Sequence, residues 1–189
     1  MSGEGEEFLC ARCARYMRTC CQTSEVYATP ADVRRIEDHI GRSDFYEYRV
    51  PDDPIYYAHD DDPIWPKMVF QPDGTRRVLK REQDGSCSFL GERGCVLPLN
   101  VRPIVCRIYP FDFNEEGIKD ALCTGCPSEI LRPGQTLLTA LMMNREEAEA
   151  WRKQLYEDIC EELEHHADHM PAEKPAAPGG VELAERESS

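Results

Sequence analysis

The sequence predicts a small and irregular α+β fold in which short β-hairpins and flanking helices surround a core organised by cysteines. Three observations support this fold class. Nine of the ten cysteines fall into three groups along the chain, two short segments have the turn chemistry of hairpins, and two longer segments repeat apolar residues at helical spacing. The length of 189 residues and the 41% hydrophobic share are typical of one folded domain with a tail.

The chain divides into three predicted parts. Residues 1–133 contain the three cysteine groups and are predicted to form a cysteine-cluster domain. Residues 134–168 are predicted to add C-terminal amphipathic helices that pack on this domain. Residues 169–189 are rich in proline, alanine, glycine and charge, and we expect a disordered tail because they cannot bury enough apolar surface to offset their ordering entropy.

The segment YATPADVRRIEDHIG, residues 27–41, predicts a helix. Thr29 can cap its N-terminus, Pro30 suits the first helical position, and Asp32 lies in the first turn, where negative charge is favourable. Gly41 is a natural C-terminal cap. Residues at spacings of three and four give the helix one apolar face: Val33, Ile36 and Ile40. We expect this face to pack over the cysteine core.

Residues 51–66, PDDPIYYAHDDDPIWP, contain four prolines and five aspartates without sustained periodicity. This composition predicts an exposed loop. The aspartates beside His59 raise the alternative of a site for a hard metal ion, but the spacing of a calcium-binding loop is absent. A solvated acidic insertion is the preferred interpretation.

Two segments predict β-hairpins. In KMVFQPDGTRRVLK, the turn residues Pro72, Asp73 and Gly74 separate two short runs that contain apolar residues. In FDFNEEGIKDAL, the predicted turn covers residues 114–117.

Residues 136–166 have a helical pattern that we expect to be in two pieces. Asn144 and Glu147 are spaced like a capping box, which would start a new helix. The second helix has an apolar stripe: Ala148, Trp151, Leu155, Ile159 and Leu163. Its opposite face is acidic, and we interpret that face as solvated rather than as a binding surface.

The formal net charge of −14 argues against nucleic acid and anionic membrane surfaces as partners, because binding to phosphates requires clustered Lys and Arg. The start, MSGEGEEF, lacks the basic and apolar regions of a secretory signal, and no window approaches the apolar length that spans a bilayer. We therefore expect a cytoplasmic protein. No particular protein partner is indicated.

Ten cysteines in a reducing cytoplasm indicate metal ligands or redox groups rather than a disulfide framework. The three groups are Cys10, Cys13, Cys20 and Cys21; Cys87, Cys95 and Cys106; and Cys123 and Cys126. The first group opens with a CxxC pair and the third is another, and at this spacing a tight turn can aim two sulfurs at one ion. Two such pairs beside further cysteines favour metal binding over inert thiols. Cys160 stands alone, and we interpret it as a small buried hydrophobic residue.

Arg102 and Arg107 flank Cys106 and are candidates to bind the cofactor through its charge. A metal core held by four thiolates carries net negative charge, which is costly to bury unless cations or backbone N–H groups compensate. The alternative is that both are surface arginines that pair with the many carboxylates. Nearby apolar and aromatic residues would form a dry shell: Phe89, Leu90, Ile108, Tyr109 and Phe111.

The order CxxC, CC, CSFL, CVLPLNVRPIVCRIYPF and a final CP resembles the YkgJ-like cysteine-cluster family of zinc- or iron-chelating domains. The resemblance covers roughly residues 8–130. It implies that eight cysteines are the family's: Cys10, Cys13, Cys20, Cys21, Cys87, Cys95, Cys106 and Cys126. Other residues that match are Arg102, Pro103, Arg107, Pro110, Phe111 and Pro127. A related cysteine-rich region occurs in flagellin lysine N-methylases.

The sequence departs from the family pattern at three places. Six residues, ARYMRT, separate Cys13 from Cys20, whereas the family usually brings these positions closer together. The acidic segment 51–66 looks like an addition, and Cys123 looks like an extra cysteine. These departures bear on the exact ligand set.

The preferred hypothesis is a metal-binding protein with a structural, carrier or electron-transfer role, because no glycine-rich phosphate loop, Ser-His-Asp spacing or CxxxCxxC set is present. One alternative is a cluster-dependent enzyme, either redox or similar to a protein methyltransferase. Another is a thiol-redox protein without metal. Cysteine ligation suits zinc and iron, including an iron-sulfur cluster, so the cofactor stays open between them.

The adjacent pair Cys20 and Cys21 carries a more specific prediction. Neighbouring side chains diverge along a strand and splay apart on a helix, which makes the pair awkward ligands for one small ion. We predict that the two cysteines divide between two metal positions or between two corners of a cluster.

Overall fold

The computed structural model describes residues 8–57, 61–123 and 125–167, with side chains as far as residue 161. These residues form helices and short strands, which confirms the predicted α+β class. The helices are α1 (Leu9–Tyr16), α2 (Cys20–Thr23), α3 (Pro30–Ile40), α4 (Trp65–Val69), α5 (Ile104–Ile108), α6 (Leu137–Ala140) and α7 (Arg145–Ala167). The strands are β1 (Tyr46–Arg49), β2 (Arg76–Leu79), β3 (Leu90–Gly91), β4 (Gly94–Cys95), β5 (Phe111–Phe113) and β6 (Ile118–Leu122).

The described strands pair as three separate two-stranded antiparallel sheets: β1 with β2, β3 with β4, and β5 with β6. In the first sheet, Tyr46 lies opposite Leu79 and Arg49 lies opposite Arg76. None of these sheets is large enough to build a core alone, so the helices and the cysteine-rich loops must supply the rest.

Helix α3 has the predicted ends. Asp32 N–H donates to Thr29 Oγ1 at 3.0 Å, and Thr29 N–H donates to Asp32 Oδ2 at 3.0 Å, which completes a capping box. Gly41 ends the helix with a φ of 71°, in the left-handed region that glycine tolerates. Val33 and Ile36 are buried in the same hydrophobic cluster as Cys87, so the predicted packing of this face over cysteines is confirmed.

The first predicted hairpin is partly wrong. The turn exists, since Gly74 N–H donates to the Gln71 carbonyl at 2.9 Å. The run before this turn is mostly helix α4, however, rather than a strand. Strand β2 pairs with β1, and this pairing was not predicted from the sequence. Asp62 explains the helix, because its Oδ1 accepts the Ile64 and Trp65 N–H groups at 3.2 and 3.0 Å.

The acidic segment is not simply an exposed loop. Asp62 is 3% exposed and Trp65 is 6% exposed, and the Tyr156 hydroxyl of α7 donates to Asp62 Oδ2. Helix α4 is anchored here because the Trp65 indole packs edge-on against Tyr27 and against Phe113. Ile55, by contrast, is 66% exposed, as the loop prediction expects. His59 lies outside the described residues.

The second hairpin and the divided C-terminal helix are confirmed. Strands β5 and β6 flank a turn in which Asn114 N–H donates to the Gly117 carbonyl at 3.1 Å. Helix α7 begins at the predicted place with Asn144 as its N-cap, since Glu147 N–H donates to Asn144 Oδ1 at 2.8 Å and Asn144 Nδ2 donates to Glu147 Oε2 at 2.7 Å. Along its stripe, Ala148, Leu155 and Ile159 are buried and Trp151 is partly buried, whereas the Leu163 side chain lies outside the described set.

Helix α7 packs against α3, α4, α5 and β6, and its apolar stripe forms the largest hydrophobic cluster with Trp65 and Ile108. A second cluster surrounds Phe45 and Phe89, and a small third one surrounds Leu9 and Leu141. Among the described residues, no helix is both long and apolar enough to cross a membrane. The expected disordered tail at 169–189 lies outside the described residues, so it stays a prediction. The boundaries of the three predicted parts of the chain also stay predictions.

Candidate metal centre

The structure brings nine cysteines to one cavity of about 300 Å³. They are all nine of the predicted ligands: Cys10, Cys13, Cys20, Cys21, Cys87, Cys95, Cys106, Cys123 and Cys126. Arg102 and Arg107, the two predicted cofactor-binding arginines, line the same cavity. Cys160 is half-buried on α7 and is not among the lining residues. None of the ten cysteines, all of which lie within the described residues, is in a disulfide.

Helix α1 carries Cys10 and Cys13 to the cavity. Arg12 fastens the helix to a distant segment, since its Nη1 donates to the Ile130 carbonyl at 2.7 Å and its Nη2 to Gln135 Oε1 at 2.8 Å. Strand β4 approaches the helix so closely that a Cβ on Gly94 would lie 3.2 Å from the Cys10 carbonyl carbon and oxygen. Glycine at this position, with a φ of 86°, therefore allows α1 and β4 to meet.

Helix α2 begins with the adjacent pair Cys20 and Cys21. Cys87 N–H donates to the Cys21 carbonyl at 2.7 Å, which brings two cysteine groups together although 65 residues separate them in sequence. Arg81 supports this contact from the side, with Nη2 donating to the Gln22 carbonyl at 2.7 Å and Nε donating to the Gly85 carbonyl at 2.6 Å.

Helix α5 carries Cys106 and begins at Ile104. Its first N–H group, that of Ile104, donates to Asp32 Oδ1 at 3.1 Å. Asp32 itself is completely buried at the start of α3, and Arg35 pairs with it. One carboxylate thus fixes the relative position of two helix N-termini, one of which holds a cavity cysteine.

Cys123 and Cys126 follow strand β6. Cys123 N–H donates to the Pro110 carbonyl at 2.7 Å, which sets the direction of the chain as it leaves the strand. The Tyr109 hydroxyl donates a hydrogen bond to the Cys126 thiol. A Cβ on Gly125 would overlap the Tyr109 hydroxyl, so the backbone and the phenol can meet only because residue 125 is glycine.

The cavity raises the pKa of its thiols. Burial raises the pKa of Cys10 to about 12 and that of Cys87 to about 11. The hydrogen bond with Cys20, followed by burial, raises the pKa of Cys21 further. These thiols are therefore protonated at neutral pH unless a cation offsets the cost of their ionisation.

Arg102 supplies part of the positive charge that favours ionisation of these thiols. Its positive charge acts to lower the pKa of three thiols, those of Cys10, Cys21 and Cys95, against the larger effects that raise them. Its Nε donates to the Leu97 carbonyl at 2.9 Å. Arg107 lies behind it, with Nε donating to the Arg102 carbonyl at 2.8 Å, and burial lowers the Arg107 pKa to about 10.

Within residues 8–57, 61–123 and 125–161, no three Cys, His, Asp or Glu side chains already converge to hold one ion. The thiols line the cavity without closing a coordination shell. Their chemistry nonetheless fits a thiophilic metal, because nine sulfur donors share one cavity and an arginine charge is within reach of three of them.

Residues 9–127 match the CxxCxxCC family, described as a "Putative zinc- or iron-chelating domain". The chain belongs to this family. The match covers more than half of the 189 residues and includes all nine cavity cysteines of the CxxCxxCC domain, whereas α6 and α7 lie beyond it. It confirms the family resemblance. No curated protein and no solved structure matches the chain.

Three features of this CxxCxxCC domain were not predicted from the sequence. Tyr109 was assigned to the apolar shell, but its hydroxyl bonds to Cys126. Gly125 lies between the cysteines of a CxxC pair, where a glycine has no signal beyond turn propensity. The contact of Asp32 with Ile104 was also missed, because a first-turn acidic residue is explained fully by its own helix.

Proposed function

We propose that this CxxCxxCC domain uses clustered cysteine thiolates to hold zinc or an iron-sulfur cluster, with a structural, carrier or electron-transfer role. The observation that carries the proposal is the presence of nine cysteines from separate segments around one cavity. Thiolate sulfur is the donor shared by structural zinc sites and iron-sulfur clusters. The family description, which covers both zinc and iron, supports the same class of ligand.

The chain's own residues would have three tasks at such a centre. The cysteines bind the metal once their protons leave, and Arg102 offsets part of the resulting negative charge. Apolar side chains, including the buried Phe89 and Leu97, limit access of water to the sulfurs. Bound zinc would cross-link the segments of the fold, whereas an iron-sulfur cluster would accept and donate single electrons.

We also propose a cytoplasmic location. Ten cysteines without a disulfide are compatible with a reducing compartment, where thiols are preserved as metal ligands. In an oxidising compartment, the partly buried members of the set would form disulfides and lose metal. A fractionation experiment with a tagged full chain tests this part separately.

The experiment that tests the metal proposal is anaerobic purification followed by elemental analysis for zinc and iron and an assay for acid-labile sulfide. Zinc without colour indicates mononuclear sites, and iron with sulfide and a brown colour indicates a cluster. The Cys160→Ser variant is the matched control, because Cys160 does not line the cavity, and it should keep its metal. A folded protein that is free of metal, and whose cavity thiols react without added chelator, would contradict the proposal.

A further inference from the structure

The cysteines of the cavity pack against two different hydrophobic clusters. Cys87, with Cys21 and Cys95 beside it, belongs to the cluster that surrounds Phe45 and Phe89. The other cluster, around Leu9, Ala140 and Leu141, is packed against Cys10 and Cys126. Among the described residues, no cysteine packs against both clusters. The packing of the protein therefore divides five of the nine cavity thiols into two groups, independently of any ligand.

The first group is held together by the backbone. Cys87 N–H donates to the Cys21 carbonyl at 2.7 Å. Leu90, which follows Cys87 by three residues, lies opposite Cys95 in the β3–β4 hairpin. Cys106 on α5 joins this group, because the Ile104 N–H at the start of α5 donates to Asp32 of α3 at 3.1 Å, and α3 packs in the same cluster through Val33 and Ile36. The group then contains four thiols, the number that a closed tetrahedral thiolate site requires.

The second group gathers around Tyr109. Its hydroxyl bonds to Cys126 and interacts with Cys20. Cys10 and Cys126 pack against the same hydrophobic cluster, and Cys13 lies three residues after Cys10 on α1, on the same side of the helix. Cys123 is adjacent, but the charges that act on its own thiol are those of Asp112 and Lys119. The charge of Cys123 also acts on the Cys126 thiol, so Cys123 lies at the edge of this group.

The adjacent pair lies at the boundary between the two groups. The Cys21 carbonyl accepts a backbone hydrogen bond from Cys87 of the first group, whereas the charge of Cys20 acts on the Tyr109 phenol of the second. A hydrogen bond also joins the thiols of Cys20 and Cys21. The charge of Cys21 acts on the thiols of Cys10 and Cys13. The groups must consequently be close neighbours within one cavity.

On the basis of the metal-binding function proposed above, we propose that the cavity holds two neighbouring metal centres. The ligands of the first are Cys21, Cys87, Cys95 and Cys106. The ligands of the second are Cys10, Cys13, Cys20 and Cys126, and Tyr109 donates a hydrogen bond to its Cys126 sulfur. The adjacent pair contributes one ligand to each centre.

Cadmium is a suitable probe, because it prefers thiolates and its NMR signal reports each bound ion. The full chain, reduced and freed of metal, is titrated with cadmium under anaerobic conditions. Two separate resonances without cadmium–cadmium coupling are expected. A single resonance, or coupling that shows a thiolate bridging two ions, would overturn the division into two centres. This measurement needs no variant and is unaffected by folding defects.

Variants then assign the ligands. Cys87→Ser and Cys21→Ser should remove the same resonance and about half of the bound cadmium. Cys126→Ser and Cys20→Ser should remove the other resonance and a similar amount. Cys160→Ser, whose side chain does not line the cavity, is the control and should keep both resonances. Loss of the same resonance in Cys20→Ser and Cys21→Ser would contradict the assignment.

The outcomes separate this inference from the proposed function. If the wild-type chain binds no cadmium, no zinc and no iron, both the function and the two-centre arrangement fail. If it binds metal but gives a single or coupled signal, the metal-binding function stands and only the arrangement fails. Far-UV circular dichroism of each variant shows whether a lost signal reflects a lost ligand or a lost fold.

Discussion

The backbone N–H of Cys87 donates to the Cys21 carbonyl at 2.7 Å, and both side chains line the same cavity. A main-chain bond is insensitive to the rotamers of the two cysteines, so it holds the positions together before any metal is bound. The metal then has only to order the side chains. The residues that support this bond should therefore affect metal affinity without being ligands.

Replacement of Arg81 should weaken metal binding although Arg81 carries no ligand atom. The Arg81→Met variant removes both bonds, to the Gln22 and Gly85 carbonyls, and frees α2 relative to the loop before Cys87. Loss of such a supporting contact costs about 10–100-fold in metal affinity, and competition with a chromophoric chelator measures it. Arg42→Met is the matched control, since Arg42 is exposed and pairs with exposed Asp44. Equal affinities of the two variants would refute the role of Arg81.

Enlargement of Gly125 should disturb the cavity through Tyr109. In the Gly125→Ala variant the new methyl group overlaps the Tyr109 hydroxyl, so the phenol must leave its bond with Cys126. We expect a loss of metal affinity of about tenfold or more, as for other supporting contacts. Tyr109→Phe should reproduce part of this loss, because it removes the hydrogen bond without adding volume.

Gly117→Ala is the control for this pair of variants. Gly117 has no positive φ, and the nearest atom to an added Cβ is Glu149 Oε2 at 3.9 Å. Its metal affinity should equal that of the wild type. If Gly125→Ala also binds metal normally, the close approach of Tyr109 to the chain has no role in the site.

The sequence predicts some elements well because their signals are local. The N-terminal caps of α3 and α7 and the turn between β5 and β6 depend on residues within four positions of each other, and these were located correctly. The pairing of β1 with β2 was missed because it joins segments more than twenty residues apart. Helix α4 was missed because Asp62 was assigned to a solvated acidic run, although it is buried as a cap.

In the candidate site, too, the local features were predictable from the sequence and the long-range contacts were not. Cysteine spacing and the family resemblance were enough to identify nine residues that share a cavity. The grouping of those cysteines was not predictable, because it depends on how hydrophobic clusters around Phe45 and Leu9 pack in three dimensions. A hydrogen bond such as that of Tyr109 to Cys126 leaves no pattern in one sequence.

Metal binding should release protons and should weaken as the pH falls. Burial raises the pKa of Cys87 to about 11 and of Cys10 to about 12, so these thiols carry their protons at neutral pH. Each thiol that becomes a thiolate ligand therefore releases about one proton, and affinity falls about tenfold per pH unit for each proton displaced. Calorimetry in two buffers of different ionisation enthalpy counts the protons. Binding without proton release would contradict the thiol pKa direction.

Removal of the Asp32 charge should loosen α5 and so the position of Cys106. Asp32→Asn places an amide where the carboxylate accepts N–H groups from Ile104 and Thr29, and it removes the pairing with Arg35. An unsatisfied buried group of this kind costs about 1–3 kcal/mol, so urea unfolding of the metal-free chain should show a lower free energy of unfolding. Asp38→Asn, on the exposed face of the same helix, is the matched control and should unfold like the wild type. Metal should restore part of the lost stability, because it binds only the folded arrangement of cysteines. A variant as stable as the control would show that the contact between α3 and α5 does not depend on this carboxylate.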